Sequence, residues 1–168
     1  MVSVRLAKKE DFEFFYKLKC EESNAYWTGN GETPLRENIY KFFESCIEKQ
    51  EAFDQRKILI VCDGDLKVGH LYIIPDGKNF DLPIAISEDY QGKGYSKKAI
   101  LCGLEYAKGL GFTKMVGHIR EDNMASYNAY KKCGMYLTGE CIYKDVSTME
   151  NGKVIVKSVK MNEVAIDL

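Results

Sequence analysis

Apolar positions along the chain change period in blocks, and each block reads as one element. Val2 to Ala7 predicts a short strand. Lys9, Glu10 and Asp11 lead into a segment reaching about Glu22, in which Phe12, Phe15, Tyr16 and Leu18 form an apolar stripe at helical spacing. Asn24 to Thr33 is dense in turn residues and reads as a loop carrying Tyr26 and Trp27. Pro34 opens a second helix running to about Glu51. Lys57–Cys62 and Lys67–Ile74 are strand-like runs around Asp63-Gly64-Asp65, a hairpin pattern. Phe80–Ser87 reads as one strand, Ala99–Gly111 as an amphipathic helix, and Thr113–Glu121 as a further strand. A short helix follows, with Asp122 or Asn123 placed to cap its start and Gly134 to end it. Met135–Val146 and Lys153–Met161 are the last two strands. Asn151-Gly152 between them is a strong hairpin dipeptide. No repeat, low-complexity stretch or linker interrupts the series. Residues 1–168 are expected to form one domain of mixed α/β class.

Composition narrows the function classes. The chain has 24 basic and 25 acidic residues, so it lacks the basic excess of a general nucleic-acid binder. The start, Met1-Val2-Ser3-Val4-Arg5, lacks the long apolar core of a signal peptide, and no apolar run is long enough to span a bilayer. Six cysteines are scattered, with no C-x-x-C and no metal-ligand spacing to His70 or His118. Reduced thiols in a cytoplasmic protein fit this pattern, and no metal is expected. Cys133 has no His-Asp or His-Asn partner in view, so a small apolar packing role is expected for it.

Candidate chemistry gathers at Tyr90-Gln91-Gly92-Lys93-Gly94-Tyr95-Ser96-Lys97-Lys98. A glycine-rich turn from a strand into a helix leaves backbone N–H groups unpaired, and the helix dipole adds positive charge there. Such a turn holds phosphates, and Lys93, Lys97 and Lys98 reinforce it. The G-x-x-x-x-G-K-[ST] loop is absent. The G-x-G-x-x-G fingerprint fails at its third glycine, which is Lys97 here. What remains is Q-x-x-G-x-S: Gln91, Gly94 and Ser96.

That remainder resembles the R/Q-x-x-G-x-G/A pyrophosphate loop of the GNAT acyltransferases, with Ser96 in place of the usual Gly or Ala. A second stretch, Asp122 to Met135, resembles the N-x-x-A/S-x-x-x-Y-x-x-x-G-F signature of the same family. Asn123, Ser126, Tyr130 and Gly134 are in register, and Met135 replaces Phe. The resemblance runs over nearly the whole chain and is specific from about Lys57 to Glu140. It implies the GNAT fold: a mixed, mostly antiparallel sheet with helices on both faces, whose central strands splay into a V. It implies acetyl-CoA as donor and direct N-acetyl transfer to a primary amine, without an acyl-enzyme. Cofactor-binding residues would be Ile84, Ala85 and Ile86, then Gln91, Gly92, Lys93, Gly94, Tyr95 and Ser96, and finally Asn123 and Ser126. Tyr130 would protonate the departing thiolate.

Helical spacing puts Asn123, Ser126, Tyr127 and Tyr130 on one face, where they can meet a passing polar ligand or simply cap and pack. Core packing is the expectation for Tyr127. Asp81, on the strand before the phosphate loop, is the first candidate for general base, and His118 the second. Glu88 and Asp89 read as surface turn residues. Tyr26 and Trp27, followed by a helix, resemble the branch that includes ribosomal-protein alanine, spermidine and amino-sugar acetyltransferases. Either they line the acceptor groove or they anchor a loop. Glu21, Glu22, Glu32, Glu37 and Glu44 could form a polyamine site or the solvated faces of two helices. The acceptor would be a small-molecule amine or a protein N-terminus, with the enzyme a monomer or homodimer. A non-catalytic acyl-CoA sensor and a transferase of longer acyl groups are the alternatives.

Overall fold

Ile58 to Val61 is an unbroken apolar run with no solvent exposure, as a central strand covered on both faces requires. Around it the computed structural model, which describes residues 1–168, builds an eight-stranded sheet. The strands are β1 Val2–Leu6, β2 Lys57–Asp63, β3 Leu66–Asp76, β4 Asn79–Asp81, β5 Ile84–Ile86, β6 Lys114–Arg120, β7 Tyr136–Glu150 and β8 Lys153–Asp167. The helices are α1 Phe12–Cys20, α2 Glu22–Thr28, α3 Arg36–Lys49, α4 Tyr95–Gly109 and α5 Met124–Lys131. Strand order is β1-β2-β3-β4-β6-β8-β7, with β5 pairing only to β3. Every pairing is antiparallel except β4 with β6.

Helices cover both faces. On one, Ala99, Ile100, Leu104 and Ala107 of α4 and Tyr130 of α5 join Leu59, Val61, Leu71, Ile73 and Phe80 in the larger core. On the other, Phe12 and Phe15 of α1 and Phe43 and Cys46 of α3 pack on Ile58, Ile60 and Cys62. This division follows from the period-2 alternation of β2, whose successive side chains point to opposite faces. β7 and β8 form a long hairpin, and Asn151 and Gly152 both take positive φ at its turn, as a tight two-residue loop demands.

Four expectations need correction. Phe80–Ser87 is two short strands, because Pro83 has no N–H to offer a ladder and the chain turns at Leu82-Pro83. Tyr26 and Trp27 lie on a helix, α2, and not in a loop. The first helix stops at Cys20 because Glu21 is extended (ψ 132°), which turns its carboxylate to other partners. α2 then starts afresh at Glu22 and ends on Gly29. Finally, α4 begins at Tyr95, so Ser96, Lys97 and Lys98 belong to its first turn.

Candidate active site

The break at Pro83 opens the sheet. β4 reaches β6 through Asn79–Lys114 and Phe80–Met115 only. Beyond it β5 stays on β3 while β6 continues with β8. Tyr72 N–H donates to the Pro83 carbonyl and Ser87 N–H to the Val68 carbonyl, which fixes the hydrogen-bonded pairs of the β3–β5 ladder. By the alternation of antiparallel pairs, Ala85 turns its polar groups to His70, and Ile84 and Ile86 turn theirs toward the gap. The Ile86 carbonyl accepts from Asn24 Nδ2 (3.2 Å) and Gln91 Nε2 (3.0 Å). The N–H groups of Ile84 and Ile86 find no acceptor within the chain. Ile84 and Ala85 border a cavity of about 160 Å³ between β5 and β6, also lined by Asp81, His118, Trp27, Asn123, Ser126 and Tyr130.

Asp81 stands at the closed end of this gap. Burial pushes its carboxyl up to about 6, against the opposing Leu82 N–H, which donates to Oδ1 at 2.7 Å. Gly117 on β6 makes the room: a Cβ there would lie 2.5 Å from Asp81 Oδ1. His118 faces the same cavity, with Nε2 3.7 Å from Glu163 on β8. Tyr130 is buried, and its hydroxyl donates to the Leu82 carbonyl at 2.5 Å, tying α5 to the strand break. Burial raises that phenol far above its ordinary value. Asn123 caps α5, its Oδ1 accepting from Ser126 N–H at 3.1 Å. Tyr127, expected in the core, is only half-buried. It lies in a separate hollow with Met124, Leu137 and Ile119. Cys133 is buried and its thiol pushed up by burial, which suits packing and not attack.

The glycine loop lies just past β5. Gly92 and Gly94 have φ of 74° and 80°, and a Cβ on either would meet nothing. Positive φ at both points successive N–H groups the same way, into open space. Those of Gly92, Lys93 and Gly94 have no acceptor in the chain, and the first turn of α4 contains no acidic residue. Gln91 does more than sit in the loop. Its amide donates to the Ser23 hydroxyl and the Ile86 carbonyl, both at 3.0 Å, and so ties α2, β5 and the loop together. Lys93 Nζ donates to the Asp89 carbonyl (2.8 Å), and the Tyr95 hydroxyl to Asp63 (2.9 Å). These two residues therefore offer the loop their backbone groups.

On the other side of α2 lies a larger cavity of about 570 Å³, lined by Glu22, Glu32, Glu88, Tyr26, Trp27 and Met149 among others. Trp27 borders both cavities. Of the five glutamates the sequence offered, Glu22 and Glu32 line this space. Glu37 and Glu44 sit on the outer face of α3 with Lys41 and Tyr40. Glu21 is consumed structurally, accepting from the Ser87 hydroxyl (2.7 Å), the Glu88 N–H (3.0 Å) and Asn24 Nδ2 (2.8 Å). Glu88, expected as a surface turn residue, accepts from Ser23 N–H (2.8 Å) at the start of α2 and borders the cavity.

Arg120 was invisible to pattern reading. It is 8% exposed, grips Asp122 with two hydrogen bonds, and lies 5.0 Å and 5.1 Å from the ring centroids of Tyr26 and Trp27. An arginine plane over two aromatic rings fixes them without a covalent tie. The available signal was an Arg closing an apolar strand directly before a capping sequence, which any surface Arg can imitate.

A splayed sheet, a strand edge with free N–H groups and an anion-ready helix start together define an acetyl-CoA-dependent N-acetyltransferase. The chain belongs to the acetyltransferase (GNAT) domain family, whose model it matches over residues 2–136. It is 24% identical to the spermidine N(1)-acetyltransferase of Escherichia coli (strain K12), the match covering 85% of this chain and 77% of that protein. Its fold is that of spermidine N-acetyltransferase from Vibrio cholerae, solved in complex with CoA and spermine (TM-score 0.81, 17% identity, covering 99% of this chain and 95% of that one). Ribosomal-protein-alanine N-acetyltransferase from Brucella melitensis shares it too (TM-score 0.77, 14% identity, 98% and 99% covered). No helix is long and apolar enough to cross a membrane.

Proposed function

We propose that residues 1–168 work as one domain that acetylates a primary amine of a polyamine. The observation that carries the acceptor class is the 570 Å³ cavity, where Glu22, Glu32 and Glu88 stand beside the Tyr26 and Trp27 rings. Carboxylates spaced around an aromatic wall suit a flexible chain of ammonium groups separated by methylenes. The relatives' names point the same way: spermidine is the substrate named for the E. coli enzyme, and spermine is bound in the V. cholerae structure.

In this reading Gly92, Lys93, Gly94 and Ser96 hold the pyrophosphate with backbone N–H groups, and Gln91 braces the loop. Ile84 and Ile86 offer N–H groups to the pantetheine arm and the thioester oxygen, Ala85 keeps the strand on β3, and Asn123 and Ser126 border the arm. Asp81, ionised above pH 6, takes the amine proton directly or through one water. The amine nitrogen bonds to the acetyl carbon as the C–S bond breaks. Tyr130 then turns its O–H from the Leu82 carbonyl to the sulfur and protonates it.

The test is CoA thiol release over a panel of spermidine, spermine, an amino sugar and an alanyl peptide. Spermidine or spermine should turn over fastest, and Glu22→Gln combined with Glu32→Gln should raise the polyamine KM about tenfold or more. Preferential turnover of the peptide or the sugar rejects the polyamine assignment. Tyr130→Phe should bind acetyl-CoA normally and transfer more slowly, and unchanged turnover removes the acid role.

A further inference from the structure

One of the enzyme's own primary amines lies in the proposed acceptor cavity. Lys19, near the end of α1, lines that cavity together with Glu22, Tyr26 and Trp27. It also borders a hollow of about 40 Å³ that includes Pro83, Ile84 and Ala85, the strand carrying the free N–H groups. Its Nζ lies 5.3 Å from the Phe15 ring centroid and 5.1 Å from that of Tyr72. No ion pair restrains it, since Glu21 and Asp89 are taken by the neighbouring Lys17. His70, buried in the same hollow with Nδ1 unpartnered, is held neutral by burial and brings no counter-charge. Burial, helped by the positive charge of Arg56, brings the Lys19 amine down to about 8. A fall of that size raises the neutral, nucleophilic fraction at pH 7 on the order of a hundredfold over an exposed lysine.

We propose that Lys19 is acetylated by the enzyme's own transfer site when no acceptor occupies the cavity. The neutral Nζ attacks the thioester carbonyl carbon, the N–C bond forms and the C–S bond breaks. The proton lost by nitrogen goes to the CoA thiolate. The products are free CoA and an Nζ-acetyl-lysine, and no further reactant is needed. The modification replaces a positive charge in the cavity wall by a neutral amide, leaving Glu22, Glu32 and Glu88 unopposed there.

The inference rests on the acetyl-transfer reading of the gap between β5 and β6, and its test separates the two. The full chain is incubated with acetyl-CoA alone and mapped by peptide mass spectrometry, comparing Lys19 with exposed Lys108 and Lys132. Lys19 should gain one acetyl group at least about tenfold faster than either, in line with its larger neutral fraction. Spermidine should suppress the gain. Gly94→Val, which strains the donor loop, should abolish it and so exclude chemical acetylation by the thioester. Equal rates at the three lysines, or an undiminished rate in Gly94→Val, overturn the inference. Thiol release with spermidine is read in the same preparation. Turnover with Lys19 unmodified rejects self-acetylation and keeps the transferase, modification without turnover does the reverse for the polyamine, and the absence of both rejects both.

Discussion

Asp11 and Asp81 are both enclosed, and their surroundings drive them in opposite directions. Asp11, at the corner where β1 leads into α1, has no solvent exposure. Burial pushes its carboxyl up. Two hydrogen bonds from Arg5 (2.7 and 2.9 Å), the Lys67 ammonium at 2.6 Å and the Lys8 N–H at 2.9 Å outweigh that and hold it well below the carboxylate range. Asp81, at the closed end of the gap between β5 and β6, receives one backbone N–H and the weaker attraction of His118, and burial still takes it to about 6. Enclosure alone therefore says little about a carboxylate. The count of donors decides whether it is a fixed anion that holds two elements together or a proton acceptor poised near neutral pH.

The comparison can be broken from either side. The largest effect is expected from Asp81→Asn, which leaves the shape and removes the base. Its kcat/KM should fall by roughly 10²–10⁴ at pH 7.5. In the unaltered enzyme, kcat/KM should drop about tenfold per pH unit below about 6 and level off above, the direction expected of a base that must be ionised. A profile flat from pH 5 to 8 would remove Asp81 from the mechanism.

Next comes Asp11→Ala, which strips a buried anion from Arg5 and Lys67 and is expected to cost about 3 kcal/mol in chemical denaturation. Because the folded-state value lies below the unfolded one, this stabilisation is present above about pH 4 and is lost as pH falls through the folded value. A cost near zero at pH 7 would mean that the ion cluster contributes nothing beyond its own desolvation.

Asp81→Asn should also stabilise the fold, by about 2 kcal/mol at pH 7.5. Here the folded-state value lies above the unfolded one. The carboxyl favours the fold below about pH 4, and that advantage is lost as pH rises through about 6. Melting curves of the two proteins should separate at pH 7.5 and converge near pH 4. A gain in stability on replacement is expected of a carboxylate kept for chemistry, whereas replacing Asp11 should only weaken the fold.

The smallest effect is expected at Arg120. Arg120→Lys keeps the charge but loses the planar contact with Tyr26 and Trp27 and the paired hydrogen bonds to Asp122. It should raise the acceptor KM several-fold, about 1 kcal/mol, while acetyl-CoA affinity measured by calorimetry stays unchanged. An equal loss for both ligands would show that Arg120 supports the whole fold and not the α2 wall.

Local chemistry made several parts of the protein legible in the chain. Gly92 and Gly94 before a lysine-rich helix start announce a tight turn with outward N–H groups, because positive φ and unpaired N–H groups are properties of a few consecutive residues. Asn151-Gly152 announces the hairpin, and Asn123 the cap of α5, for the same reason. Pro83 carried the strand break in plain sight, yet the apolar run around it read as one strand, since periodicity alone does not say where a strand loses its second neighbour. Helix α2 was hidden because turn-forming residues surround it and its start depends on Glu21 reaching Ser87 and Glu88, 66 and 67 positions away. The basicity of Asp81, the stacking of Arg120 on Tyr26 and Trp27, and the enclosure of Lys19 were settled by neighbours brought in from other elements. The sequence by itself determined the fold family, the two-glycine turn into α4 and the capped helix, because each is written in short-range geometry. Only the tertiary structure decided which carboxylates face a cavity and which of them keep a proton near neutral pH, because burial and donor count are set by the approach of distant segments.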